Sequence, residues 1–399
     1  MHTPTQCSPD WTQRSKRAAK HAAKHAAKHA FALSLRLAVA GAVLPLNAQV
    51  APIQYHRDTT FPAPSPTPFG AVSWVRHDPL TGTSYVLQRA DPAISVWSRE
   101  GNLLRTISMP TLGDPHSLSF HTSRNGQREI WITDMAPPNP AGPANGHCLK
   151  AFTLDGQALR TIGQCGATSQ GRGLDPVQFD AVTDIAWSAK ETLHVTDGDL
   201  GGLNNRVLTL NSNGHVLAHW SAPHDQPGKA AGQFDLPHAI EVDACNRSWI
   251  ADALNHRVQV IAPDGTPLGE ITAFGALGVY AMAFGSATAK PARQILAVGA
   301  SPSNGGGLGQ VTLFSVSMDC SRPRLHGVEH ITTFNVPLPD APASLLHALA
   351  IDPVNGDITL AILAKGYPPQ RWSARTSGAA LPPSALPVPF PQPLTKDAP

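Results

Sequence analysis

Four short stretches of this chain set a period that few folds can satisfy. SREGNLLRTI, TLDGQALRTI, LNSNGHVLAHW and APDGTPLGEI place turn glycines at Gly101, Gly156, Gly214 and Gly265, spaced 55, 58 and 51 residues apart. Each stretch puts Glu-Gly, Asp-Gly or Asn-Gly between apolar runs. That is a β-hairpin signal, because tight hairpin turns need positive φ and these residues tolerate it. Ahead of three of the turns, IWITDMA, LHVTDGD and SWIADAL end an apolar strand in a Thr-Asp or Ala-Asp pair. A unit of about fifty residues with several strands, repeated along the chain, is a propeller blade.

A second feature counts the blades. Loop-to-strand entrances of the type QFDLPHAIEVD occur near Ser73, His116, Thr183, His238, Tyr280 and His347. The expected fold is therefore all-β, a six-bladed β-propeller over residues 66–375. The last two blades are poorly patterned: DITLAILAKGYPPQRW lacks both the aspartate and the hairpin glycine. The 38 prolines and 33 glycines suit short strands joined by turns better than long helices. Residues 49–65 are expected to be an N-terminal linker. The Pro-rich tail, 376–399, cannot support a strand ladder and is expected to run extended.

The N-terminus has a different character. RSKRAAKHAAKHAAKH, residues 14–29, is a basic low-complexity run that includes His21, His25 and His29. FALSLRLAVAGAVLPLNA follows, interrupted by Arg36 and too short in its unbroken part to span a bilayer comfortably. Residues 1–48 read as a signal peptide with a long basic region, cleaved before Gln49. A misassigned start upstream of an ordinary signal gives the same mature protein; an uncleaved anchor is the weaker alternative. The expected location is periplasmic or secreted, in an oxidising compartment. Of the five cysteines, Cys7 leaves with the leader, and Cys148, Cys165, Cys245 and Cys320 remain. A Cys148–Cys165 bridge across a hairpin is open to the chain, but sequence does not fix the pairing. A net charge of +2 and 15% charged residues leave no footprint for nucleic acid.

GQFDLPHAIEVDACNRSWIADALNHRVQVIAPDG is a strong NHL repeat. Together with LHVTDGDLGGLNNRVLTLNSNGHVL it resembles the catalytic core of peptidyl-α-hydroxyglycine α-amidating lyase, over about residues 66–375 and best from 112 to 271. That family is a six-bladed propeller with a zinc held by three histidines. The resemblance implies a lyase that splits an α-hydroxyglycine-like carbinolamide, a small α-hydroxy-amide or a peptide C-terminus, into an amide and glyoxylate.

The histidine entrances fit that implication. DPHSLSF gives His116, LPHAIEVD gives His238 and LLHALAID gives His347, in blades two, four and six. Alternate blades of a six-fold ring lie about 120° apart, so three imidazoles entering from one end converge on the axis. Three histidines with an open fourth position suit a catalytic zinc. A single Pro-His at a blade entrance is ordinary in NHL repeats that bind no metal; the alternation carries the signal.

The chemistry also needs a base and an anion clamp. In YVLQRADPAISVW, Arg89 matches the family's substrate arginine. Where the family has Asp-Gly-Tyr, this chain has Asp197-Gly198-Asp199 on a longer loop, so Asp199 stands as the carboxylate base in place of a tyrosine. Where the family has Ala-Asp-Arg-x-Asn, the chain has Asp252-Ala253-Leu254-Asn255, and a second active-site arginine is gone. Ala348 follows the third histidine where the family uses an aspartate for structural calcium. The alternative function is a non-catalytic NHL propeller that binds a protein, peptide or glycan. A lactonase-type hydrolase would need inward carboxylates and calcium, for which no convincing set is present. A monomer is expected, with no transmembrane segment in the mature chain.

Overall fold

Each of the four turn glycines closes the outer hairpin of a four-stranded antiparallel sheet. Gly101, Gly156, Gly214 and Gly265 all have φ between 86° and 92°, and each donates its N–H three residues back, to Ser98, Thr153, Asn211 and Ala262. The paired strands carry a bulge beside every one of these turns. This is the type I turn with a following left-handed residue. Only the glycine takes positive φ; the Asp, Asn or Glu before it stays on the ordinary side, which corrects the expectation that the pair shares that demand.

The computed structural model describes residues 53–136, 146–167, 173–289, 292–322, 324–341 and 343–375. The expected leader, 1–48, and the Pro-rich tail, 376–399, lie outside them. Six such sheets follow one another around a common axis as a six-bladed β-propeller. Their innermost strands are Val72–His77, Pro115–Thr122, Val182–Trp187, Pro237–Val242, Gly278–Ala289 and Leu345–Ile351. Among the described residues no helix is long and apolar enough to cross a membrane.

The stretch expected as a linker is partly a strand. Gln54–Asp58 pairs antiparallel with Gln370–Arg375 as the outermost strand of blade six. QYHRD has no apolar alternation to betray it, and its burial is correspondingly slight. The strand binds the start of the propeller to its end and so closes the ring.

The aspartates seen in the sequence have a common task. Asp134, Asp197 and Asp252 end the second strands of blades two, three and four and are fully buried. Each pairs with a cation that begins or lies in the third strand: Lys150 at 2.7 Å, Arg206 at 2.9 Å and Arg257 at 2.8 Å. Each also accepts backbone N–H bonds from the loop that leads into the innermost strand, from Asp114, Asp180 and Asp235. The carboxylate therefore ties hairpin to entrance loop. Gln88 does this in blade one, accepting from Gly70. Blades five and six end the same strand in Ser301 and Leu363, which is why their pattern is faint.

Two disulfides are formed. Cys148–Cys165 lies within blade two, and Cys245–Cys320 joins blade four to blade five.

Removing one buried brace should show its weight. Asp252→Ala leaves Arg257 buried without its main partner, and urea unfolding is expected to show a loss of about 3 kcal/mol. A loss below about 1 kcal/mol would mean that the carboxylate does not hold the entrance loop.

Candidate metal centre

The innermost strands all break register at the same point. Pairing with the second strand skips Ser73, His116, Thr183, His238, Tyr280 and His347 in turn. A bulge leaves one residue out of the ladder and re-aims its side chain and carbonyl. Here it does so six times, once per blade, around the axis.

The three histidines meet there. His116, His238 and His347 are 0–2% exposed. Their ring centroids lie 4.5–4.7 Å apart in all three pairings, and one nitrogen from each falls within 4.8 Å of the others. The arrangement is close to a regular triangle.

The other three bulged residues fix which nitrogen faces inward. Nδ1 of His116 donates to the Thr183 carbonyl at 2.8 Å, Nδ1 of His238 to the Tyr280 carbonyl at 2.7 Å, and Nδ1 of His347 to the Ser73 carbonyl at 2.7 Å. A carbonyl can only accept, so Nδ1 carries a proton in each ring and Nε2 is the nitrogen left to face its neighbours. Clamping Nδ1–H on a backbone carbonyl is how metal-binding imidazoles are oriented. Burial, reinforced by His116, pushes His238 down to about 3. Burial, with His116 and His238 adding to it, also pushes His347 well below its ordinary value.

Asp199 comes to the same point from the loop of blade three. Its carboxylate lies 3.2 Å from Nε2 of His116, and that nitrogen is buried without a well-aligned hydrogen bond. A lone pair and a carboxylate at this distance repel unless a proton or a metal cation serves both. Burial pushes the Asp199 carboxyl up, but His116 outweighs it and holds the group below the usual carboxylate range. Zinc fits this donor set. Bonds of about 2.0–2.1 Å need the nitrogens about 3.3 Å apart, a contraction of roughly 1 Å per ring from the observed limit.

Arg89 sits at the rim. Its Nε pairs with Asp114 at 2.9 Å, and both side chains are about a quarter exposed. Its positive charge adds to the downward push on His238 and His347. The structure thus brings Arg89, Asp199 and the three histidines to one end of the channel.

Two neighbours, Trp74 and Asp114, were not singled out from the sequence, and Tyr280 was named there only as a blade entrance. Trp74 lies beneath the triangle, 5.9–6.3 Å from each imidazole by ring centroids, and its side chain is fully buried. Tyr280 packs edge-on against His238 at 5.2 Å. Asp114 is the partner of Arg89. Trp74 follows an entrance residue and Asp114 precedes one by two positions, so position along the repeat was the available signal. Residue type alone gave none.

No family model matches the chain. NHL repeat-containing protein 3 of Mus musculus is 34% identical over 197 residues, 49% of this chain and 53% of that protein. The Homo sapiens protein of the same name is 31% identical over 214 residues, 53% and 58% of the two chains. The chain spans little more than half the length of these curated relatives. Among solved structures, a catalytically inactive virginiamycin B lyase from Staphylococcus aureus with quinupristin aligns at a TM-score of 0.47 and 12% identity, covering 80% of this chain and 99% of that one. A streptogramin B lyase structure aligns at 0.45 and 12%, covering 81% and 98%. These two likenesses are of chain trace alone. The six four-stranded sheets make the chain a six-bladed β-propeller, and about half of it is similar in sequence to NHL repeat-containing proteins.

Proposed function

We propose that the protein is an exported zinc-dependent lyase that cleaves the C–N bond of an α-hydroxyglycine-like carbinolamide, giving an amide and glyoxylate. The observation that carries this reading is the triangle of buried imidazoles, each with Nδ1–H held by a carbonyl so that Nε2 is the nitrogen left to bind. Two disulfides support an oxidising compartment.

His116, His238 and His347 would hold the zinc. When bound, the metal supplies a Lewis acid that lowers the pKa of an oxygen in the site. The chain's own groups account for the rest. Arg89 would hold the substrate carboxylate with the guanidinium edge not used by Asp114. Asp199, kept ionised beside His116, would accept the proton of the substrate hydroxyl. As that O–H bond breaks, the carbon–oxygen double bond of glyoxylate forms and the C–N bond electrons pass to the amide nitrogen. The proton held on Asp199 then goes to that nitrogen, so the reaction needs no net water or oxidant. Trp74, fully buried against the three imidazoles, would keep bulk water from its side of them.

The competing reading is a propeller that only binds a protein, peptide or glycan. The observation that favours it is Ala253, where the family resemblance would place an arginine. Direct measurements separate the two.

Purified protein exposed to zinc and desalted is expected to retain about one zinc per chain, and His238→Ala is expected to lose it. A wild-type chain without zinc would remove the lyase reading.

Glyoxylate release from N-acyl-α-hydroxyglycines should then be measurable. Asp199→Asn is expected to lower kcat by about 100-fold or more with zinc content retained. If the variant instead loses zinc, the carboxylate is a metal ligand and not the base.

Arg89→Ala is expected to raise KM by about 100-fold, with the larger effect on KM than on kcat. An unchanged KM would place the substrate carboxylate elsewhere.

A further inference from the structure

The loop that carries Asp199 runs from Gly198 to Asn205, between the second and third strands of blade three. It is fixed along its length. The N–H groups of Gly198 and Asp199 both donate to the Ala181 carbonyl, at 3.1 and 3.0 Å, and Gly202 donates to Asp199 at 3.1 Å. Leu203 N–H donates to the Asp180 carboxylate at 3.1 Å, and the Asn204 amide to Asp197 at 2.8 Å. A Cβ on Gly198 would lie 2.3 Å from the Asn204 carbonyl oxygen, so the two ends of the loop pass too closely for any other residue.

On this fixed loop two leucines are turned to solvent. Leu200 is 71% exposed and Leu203 is 45% exposed. A held loop that exposes leucines beside a buried polar centre has the make-up of a ligand-contact rim.

The position says what they would contact. Leu200 follows Asp199, whose carboxylate is 3.2 Å from His116. With Cα atoms 3.8 Å apart, the Leu200 backbone lies within about 11 Å of that imidazole. A peptide advances about 3.3–3.6 Å per extended residue. A chain whose terminal α-hydroxyglycine lies at the histidines therefore has its preceding one or two side chains within reach of this rim.

We propose that Leu200 and Leu203 are specificity residues, selecting substrates with a large apolar side chain immediately ahead of the terminal α-hydroxyglycine. The identity of that terminal group rests on the lyase reading; the apolar preference rests on the loop.

The test uses N-acetyl-Phe-Gly and N-acetyl-Ser-Gly, which lack the hydroxyl and are not turned over. Calorimetry on the zinc-loaded protein is expected to give at least about tenfold tighter binding of the Phe peptide, the magnitude of partly burying one apolar side chain. In the L200S/L203S variant the preference is expected to fall to within about twofold, with the affinity for N-acetyl-Ser-Gly unchanged. Retained zinc reports that the variant is folded; if the double variant loses zinc, Leu200→Ser alone is measured in the same way. Equal binding of the two peptides by wild type, binding of neither, or a preference that survives the substitutions overturns the proposal. Glyoxylate release separates the two readings. A chain that binds the Phe peptide selectively but releases no glyoxylate keeps the apolar rim and loses the lyase. A chain that releases glyoxylate without the preference does the reverse.

Discussion

The bulge at the mouth of each innermost strand is the constraint on which the rest of this centre depends. A regular strand would pair every residue with its neighbour and leave nothing aimed at the axis. By skipping one residue, each blade frees a side chain and a carbonyl at the same height. Histidines in alternate blades use the side chain; Ser73, Thr183 and Tyr280 between them use the carbonyl. The six residues thus form three donor–acceptor pairs, each spanning two blades. The geometry of the imidazoles is set by the ring of blades as a whole, and no local loop could reproduce it.

That dependence gives the other buried polar groups their purpose. Asp134, Asp197 and Asp252 anchor the loops that lead into the bulges. The anchors are costly to desolvate, and each is satisfied by a cation and by backbone N–H groups. Deeper on the axis, Trp74 lies between the histidines and Arg76, whose guanidinium pairs with Glu241 and lies 3.8 Å from Asp184. Burial raises Asp184 to about 7, against the pull of Arg76. Trp74 thus packs against the three imidazoles and, 5.8 Å from its ring, against Arg76.

Much of this was legible in the sequence, for physical reasons. Hairpin glycines and strand-end aspartates recur because every blade solves the same closure problem, so the fold follows from their spacing. The entrance histidines could be paired by blade number because a ring converts sequence period into angle. The closing strand Gln54–Asp58 escaped because an outermost strand buries little and needs no alternation. The faint fifth and sixth blades have their explanation in Ser301 and Leu363, which break the aspartate pattern without breaking the sheet. The carbonyl clamps could not be read at all, since backbone atoms leave no trace in residue type. Trp74 and Asp114 were visible as letters but became neighbours of the site only through the bulges.

The central claim is that three imidazoles on alternate blades bind one zinc through Nε2. X-ray absorption at the zinc edge on the loaded protein tests it most directly. The account predicts a four-coordinate shell containing three imidazole nitrogens at about 2.0–2.1 Å, with the outer-shell scattering of histidine rings. A shell of oxygens without imidazole scattering, or one containing sulfur, would contradict it.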